Sequence, residues 1–123
     1  MEQLGLFIGT LLQSRNQAHI YHWQVQGVGS DAAHRALGEY YDGIVDIVDK
    51  LVESIQGRHG IIRGYRMPQE LREDGGFVKY FEALSKFVET TRTQVPQDSY
   101  IQNQIDTIIE LIETTRYKLV NLK

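Results

Sequence analysis

The fold is set by residues 19–57, which read HIYHWQVQGVGSDAAHRALGEYYDGIVDIVDKLVESIQG. On both sides of Gly27-Val28-Gly29-Ser30, apolar residues return every three or four positions, which is the spacing of one face of an α-helix. The glycines suit the left-handed end of a helix, and Ser30 or Asp31 suits the cap of the next one. The stretch therefore predicts two helices that pack antiparallel around this turn.

The same spacing gives the extent of four helices along the chain. We place helix one at about residues 2–26, helix two at 31–56, helix three at 77–94 and helix four from 97 onward. Leu12 falls on the apolar face of helix one, and Gly57 is expected to stop helix two. Pro96 separates helices three and four, since proline cannot continue a helix.

The lengths of the connections predict how the four helices are arranged. About four residues join helices one and two, and few join helices three and four, whereas about 20 separate helices two and three. A long connection can cross the length of the bundle and leave helix three parallel to helix two, as in ferritin-like topologies. We expect an all-α chain with a single domain over residues 1–123, a ferritin-like antiparallel four-helix bundle with a long crossover.

Composition argues against several classes of protein. The 123 residues include 13 basic and 16 acidic side chains, a net charge of −3, and no cysteine. Without cysteine there is no disulfide framework and no thiol nucleophile, which suits a reducing compartment. No basic cluster favours a phosphate backbone, and neither a secretion signal nor a membrane span is evident. We expect a cytoplasmic protein, without a membrane partner and without DNA as a ligand.

Carboxylates and histidines are the groups that could carry chemistry. Five carboxylates recur every three or four residues and so share one strip of helix two. They are Glu39, Asp42, Asp46, Asp49 and Glu53. His19, His22 and His34 lie close to the first turn, and imidazole with carboxylate is a ligand set that iron uses. The plainer interpretation is a solvated acidic face and hydrogen-bonded structural histidines, and we assign His19 to that structural role.

Helix geometry separates the histidines from the last two carboxylates. His34 and Asp49 are fifteen residues apart on helix two, which is about 22 Å at 1.5 Å per residue. Folding helix one back places His22 near His34 and far from Asp49 and Glu53. If both halves serve one metal, a second chain in antiparallel two-fold pairing must supply the missing half. A di-iron site within one bundle would use Glu-x-x-His pairs, and the sequence contains none.

Residues around the first turn form one ungapped pattern: His22-Trp23-Gln24-Val25-Gln26-Gly27, His34, Tyr40-Tyr41, Asp49 and Glu53. This pattern resembles the signature of the Dps-like branch (DNA-binding protein from starved cells) of the ferritin-like superfamily. The resemblance implies that His22 and His34 of one chain, with Asp49 and Glu53 of another, bind ferrous iron and oxidise it with peroxide or oxygen. It also implies a two-fold dimer or a larger storage shell, with Trp23 near the iron or packed at the dimer contact.

Two neighbouring positions bear on that ligand set. Gly38 stands where the family usually places a further carboxylate, and Glu39 replaces that carboxylate only if helix two is rotated there. The same nitrogen and oxygen ligands accept zinc or manganese as well as iron.

The leading hypothesis is an iron-binding, ferroxidase-type oxidoreductase with an inter-subunit site. The alternative is a non-catalytic ferritin-like helical dimer that acts as a binding or structural module. Metal-dependent hydrolysis is disfavoured, because it would need three ligands converging within one chain.

Overall fold

A computed structural model of the chain describes residues 2–68 and 70–123, and this part is all-helical. It contains four α-helices and one short 3-10 turn. These are α1 (Glu2–Gln24), α2 (Ser30–His59), α3 (Phe77–Thr91), the 3-10 turn (Arg92–Gln94) and α4 (Ser99–Asn121). The helices pack against one another and the described residues form no strand. The prediction of an all-α chain with four long helices is confirmed.

Contacts near the two ends of α1 give the direction of α3. The ring of Phe7 lies 6.2 Å from that of Phe87, and the ring of Tyr21 lies 6.0 Å from that of Phe77, centroid to centroid. The start of α1 therefore meets the end of α3, and the two helices are antiparallel. Since α1 is also antiparallel to α2 across a short turn, α2 and α3 run in the same direction.

Polar contacts give the direction of α4 relative to α2. Near the start of α2, the Lys118 ammonium donates to Glu39 at 2.7 Å. Near the end of α2, the Gln104 amide donates to Ser54 at 3.1 Å. The start of α2 therefore contacts the end of α4, and the end of α2 contacts the start of α4, so these two helices are antiparallel. Each of the four helices thus packs against two neighbours.

A single apolar core runs between the helices, and its residues repeat every three or four positions on each of them. On α2 and α4 it comprises Ala33, Ala36, Leu37, Tyr40, Ile44, Val48, Leu51, Ile55, Ile101, Ile105, Ile108, Ile112 and Leu119. The Tyr40 ring is fully buried, and its hydroxyl shares a 2.7 Å hydrogen bond with the Ser14 hydroxyl of α1. The bond satisfies both polar groups at a site closed to water.

The crossover between α2 and α3 lies directly on α1. A Cβ atom added at Gly5 would collide with the carbonyl oxygen of Gly64, and one added at Gly9 with that of Arg66. The Arg66 amide donates to the Gly5 carbonyl at 3.3 Å. Two glycines one turn apart therefore let the crossover backbone touch the helix backbone, which no side chain would permit.

Farther along the crossover, one glutamine of α1 continues this attachment. The buried Gln17 amide donates to the Arg72 carbonyl at 2.8 Å and accepts from the Arg72 amide at 2.6 Å. The crossover thus runs beside α1 from Gly5 to Gln17 and satisfies its own backbone groups there.

Several details of the sequence prediction were wrong. Gly57 does not stop α2, which continues to His59 and ends at Gly60, where φ is +96°. Neither Ser30 nor Asp31 caps α2, because Gly29 precedes the helix and no side chain bonds its first amides. Leu12 is not in the core, since 44% of it is exposed. Helix ends depend on backbone angles that the spacing of apolar residues does not report.

None of the described helices combines the length and apolar character needed to cross a membrane.

The close approach of the Arg66 carbonyl to Gly9 can be tested by adding one methyl group at position 9. Gly9→Ala would press its Cβ into the Arg66 carbonyl, and we expect a loss of about 1–3 kcal/mol in the free energy of unfolding. Urea denaturation measures the change. Gly57→Ala is the control, because its Cβ would meet open space and should add about 0.5–1 kcal/mol. Equal changes in the free energy of unfolding of the two variants would contradict the contact between Gly9 and the Arg66 carbonyl.

The junction of α2 and α4 should respond to acid. Asp98 accepts a 2.7 Å hydrogen bond from His59, and this bond, with the nearby Arg58, holds the pKa of Asp98 below its ordinary value. Its stabilising effect is present above the unfolded carboxyl pKa and is lost as pH falls through the lower folded pKa. Asp98→Asn should therefore lower stability at neutral pH and weaken its dependence on acid, as urea titrations at several pH values would measure. The exposed Asp46→Asn variant should leave the pH profile unchanged.

Candidate functional site

His22 and His34 form a stacked pair where α1 ends and α2 begins. Their ring centroids lie 3.5 Å apart and their planes differ by 20°. Nδ1 of His22 lies 2.6 Å from the His34 carbonyl oxygen, and Nδ1 of His34 lies 2.8 Å from the His22 carbonyl oxygen. A carbonyl oxygen can only accept, so each Nδ1 carries a proton and donates it. In the neutral ring this leaves the Nε2 lone pair free to bind a metal.

Gly38 provides the space for this pair. A Cβ atom at position 38 would lie 3.3 Å from Cε1 and 3.4 Å from Nδ1 of His22. A larger side chain at position 38 would collide with the imidazole ring of His22, which packs against α2. The resemblance described in the sequence analysis makes Gly38 the position of a missing carboxylate. In the structure, the absence of a side chain at Gly38 leaves room for the imidazole of His22.

Aromatic rings surround one side of the imidazole pair. His19 stacks on Tyr41 with centroids 4.1 Å apart, and the ring of Trp23 lies 4.1 Å from His19 on α1. Tyr41 in turn meets His22 edge-on at 5.2 Å. Trp23 is 68% exposed and makes its described ring contact with His19 rather than with either member of the pair. Sequence reasoning missed this cluster, although the four-residue step from His19 to Trp23 places both on one helix face.

Asp49 and Glu53 form a carboxylate pair farther along α2. Both side chains are exposed and one helical turn apart. A hydrogen bond with Asp49, and the negative charge of Asp49, raise the pKa of Glu53 above its ordinary value. The fifteen residues from His34 to Asp49 correspond to about 22 Å along the helix. Among the described residues, no group of three or more histidines or carboxylates could hold a metal ion within one chain.

Glu39 lies on another side of α2. Its carboxylate accepts the 2.7 Å hydrogen bond of Lys118 from α4. The structure therefore pairs Glu39 with Lys118 of α4 rather than with the imidazoles. Glu39 serves the contact between α2 and α4.

A groove on the outer side of α1 and α2 lies between the histidines and Glu53. It has a volume of about 270 Å³, and we call it the α1–α2 groove. Apolar side chains form most of its lining, including Leu11, Leu12, Val45, Val48, Val52 and Tyr65. Two charged residues, Arg15 and Asp49, also line it. One surface thus presents imidazoles at one end, apolar groups in the middle and carboxylates at the other end.

The stacked rings restrict how a metal could bind. An ion bound by an imidazole nitrogen lies close to the plane of that ring, and these two planes are nearly parallel. The pair as it stands therefore offers two separate lone pairs. Both imidazoles can bind one ion only after one ring turns and gives up its Nδ1 hydrogen bond.

The interaction of the two carboxylates can be measured directly. Asp49→Ala removes both the hydrogen bond and the charge, so the pKa of Glu53 should fall toward its ordinary value. NMR titration of the Glu53 side chain with pH reads this change. Asp46→Ala removes another exposed carboxylate of α2 and should leave the Glu53 titration in place. An unchanged pKa of Glu53 in Asp49→Ala would show that the two carboxylates do not interact.

Comparison with known proteins identifies one family and overturns the resemblance drawn above. No curated protein matches the chain, and no solved structure does. The match that is found is to a family other than the Dps-like ferritins, so assignment to the Dps-like branch is wrong. The pattern that suggested it occupies only part of the chain around the first turn, too little to define a family. Residues 22–119 match DUF5856, a family of unknown function, and the chain belongs to that family.

Proposed function

We propose that two copies of this chain pair through the outer surface of α1 and α2, which contains the α1–α2 groove, and bind ferrous iron between them. His22 and His34 of one copy would supply imidazole nitrogens, and Asp49 and Glu53 of the other would supply carboxylate oxygens. The observation that carries the proposal is the side-by-side placement of two imidazoles whose Nδ1 atoms bond to the backbone, because it leaves each Nε2 lone pair for a ligand. Backbone partners of this kind commonly orient metal-binding histidines. One of the two rings must turn and release its Nδ1 bond before both bind the same ion.

The separation of the groups favours a site made by two chains. The imidazoles and carboxylates lie about 22 Å apart on a continuous helix, so one chain cannot close on a single ion. A two-fold axis midway between them brings the imidazoles of each copy to the carboxylates of the other. Two equivalent sites per dimer result, one at each end of the contact.

The order and direction of the helices support a ferritin-like bundle as the scaffold. Helix α1 is antiparallel to α2 and α3, α4 is antiparallel to α2, and a crossover of residues 60–76 joins two parallel helices. Bundles with one long crossover hold metal sites between side chains of facing helices.

The proposed chemistry is oxidation of iron(II). Two imidazoles and two carboxylates leave coordination positions for water, oxygen or peroxide. Two ferrous ions each give one electron, and hydrogen peroxide takes both electrons and two protons to become two water molecules. Zinc and manganese would accept the same ligands. Opening of the imidazole stack is the conformational step that binding requires.

The second candidate is a non-catalytic helical dimer, and the same histidines favour it. Their rings stack, and their two hydrogen bonds tie the last turn of α1 to the first turns of α2. In that case the pair is a structural clasp and needs no metal. The two proposals differ in whether the protein binds ferrous iron at all.

Mixing two defective variants distinguishes these proposals. One variant carries His22→Ala with His34→Ala, and the other carries Asp49→Asn with Glu53→Gln. Each should bind no iron(II) alone, whereas a heterodimer regains one complete site. After subunit exchange of equal amounts, about a quarter of the unmodified capacity should return, because half the dimers are mixed and each has one of two sites. Anaerobic calorimetry measures binding, and absorbance after peroxide addition measures oxidation.

The matched control carries Asp46→Asn with Glu110→Gln, which removes the same charge from exposed positions and should keep full capacity. Circular dichroism verifies that each variant is folded. Folded variants that recover nothing on mixing would contradict the shared site. If the unmodified protein dimerises without binding iron(II), the metal site is rejected and the non-catalytic dimer, in which the histidine pair is a structural clasp, is supported.

A further inference from the structure

We infer that the protein binds a small aromatic carboxylate in a pocket between α1, the crossover and α3, which we call the α1–α3 pocket. Its lining includes Gln17, Pro68, Arg72, Tyr80, Leu84 and Phe87. The side chains proposed to bind iron lie on α1 and α2 and do not line this pocket. The inference therefore needs neither iron nor a second copy of the chain.

The wall that α1 contributes is polar, and its bonds to the crossover hold it in place. The Thr10 hydroxyl donates to the Leu6 carbonyl of its own helix at 2.7 Å. The Gln17 amide exchanges two hydrogen bonds with the backbone of Arg72, which keeps this part of the crossover beside α1. These polar groups serve the fold, so the charge of a ligand must be recognised by other side chains of the pocket.

Arg72 brings a positive charge to the pocket without an ion pair. Its guanidinium carbon lies 5.9 Å from the ring centroid of Tyr80 on α3, and none of the ion pairs between described residues includes it. The nearby carboxylate of Asp74 instead accepts hydrogen bonds from the Tyr21 hydroxyl and the Gly76 amide. Because a guanidinium presents its N–H donors in a planar fork that matches a carboxylate, Arg72 favours a carboxylate ligand.

Tyr80 adds a second donor from α3. Its hydroxyl makes no hydrogen bond to any residue that the structure describes, whereas buried polar groups ordinarily have a partner. Burial raises the pKa of the Tyr80 phenol, so the hydroxyl keeps its proton at neutral pH and can donate it. A carboxylate held by Arg72 would accept this hydrogen bond, since the guanidinium lies beside the same ring.

The α3 side of the pocket suits an aromatic ring. Leu84 is buried, Phe87 is partly buried, and the Phe87 ring is fixed by stacking on Phe7 at 6.2 Å. The pocket has a volume of about 160 Å³, and an apolar cavity of about 150 Å³ admits benzene. A single ring with one carboxylate, of the size of benzoate, therefore matches the space, the walls and the charge.

Calorimetric titration of the metal-free protein with benzoate tests the pocket. We expect saturable binding of one benzoate per chain. Two further probes separate the parts of the ligand, because benzyl alcohol keeps the ring without the charge and acetate keeps the carboxylate without the ring. Each should bind about tenfold more weakly or worse, since one loses a hydrogen bond between charged groups and the other loses the burial of a ring.

Matched arginine substitutions locate the binding site. Arg72→Gln removes the charge, leaves the backbone bonds to Gln17 and should weaken benzoate binding about tenfold or more. Arg63→Gln makes the same change at an exposed crossover residue outside the pocket and should leave the affinity unchanged. Tyr80→Phe keeps the ring without its hydroxyl and should weaken binding about threefold or more. Circular dichroism verifies that each variant is folded.

Ala83→Phe provides a second test that keeps both donors. Ala83 lines the pocket from an exposed position of α3, so a larger side chain there would fill the space from its rim without entering the core. Benzoate binding should be lost while the circular dichroism spectrum and the urea midpoint stay near those of the unmodified protein.

Three results would overturn the inference. They are the absence of saturable benzoate binding, equal affinities for benzoate and benzyl alcohol, and equal losses in Arg72→Gln and Arg63→Gln. None of these results concerns iron(II), whose proposed ligands lie outside the pocket, so the two proposals can fail separately.

Discussion

The rigid length of α2 is the constraint on which the candidate site depends. The helix runs unbroken over 30 residues, and its rise keeps His34 about 22 Å from Asp49. Helix α1 cannot shorten this distance, because it lies along α2 and is held there by the buried bond between Ser14 and Tyr40. The imidazoles and carboxylates of one chain therefore stay apart, and any single ion they share must lie between chains. The chemistry proposed here is thus a consequence of helix geometry rather than of a flexible loop.

Helix α1 has two different faces, one covered by the crossover and one exposed beside α2. The exposed face is the surface through which we propose that a second copy binds. One face is covered by backbone, because Gly5 and Gly9 admit the crossover at a distance that no side chain would allow. Another face lies toward solvent beside α2 and exposes Leu12 and Trp23. The crossover closes the bundle on one side, and Tyr65 of the crossover helps to form the groove on the other. Packing within the chain and the proposed pairing between chains therefore use the same helix.

The sequence predicted the four helices well because a 3.6-residue apolar period is a property of local sequence. It could not predict where α2 ends, since Gly57 fits within a helix and only the positive φ of Gly60 breaks it. Proximity of the two histidines follows from the antiparallel turn, but their stacking depends on the space left by Gly38. Glu39 was ambiguous because its side of α2 becomes clear only when α4 is in place. A short pattern also suggested the wrong family, since residues around one turn say little about the rest of the chain.

A crystal structure of the protein grown with cobalt(II), with anomalous diffraction recorded at the cobalt edge, tests the shared site most directly. Cobalt(II) accepts the same nitrogen and oxygen ligands as iron(II) and resists oxidation. If the ion lies between chains, an anomalous peak is expected between His22 and His34 of one copy and Asp49 and Glu53 of another, with the imidazole stack opened. No peak at that position, with the two rings still stacked and bonded to the backbone, would contradict the shared site.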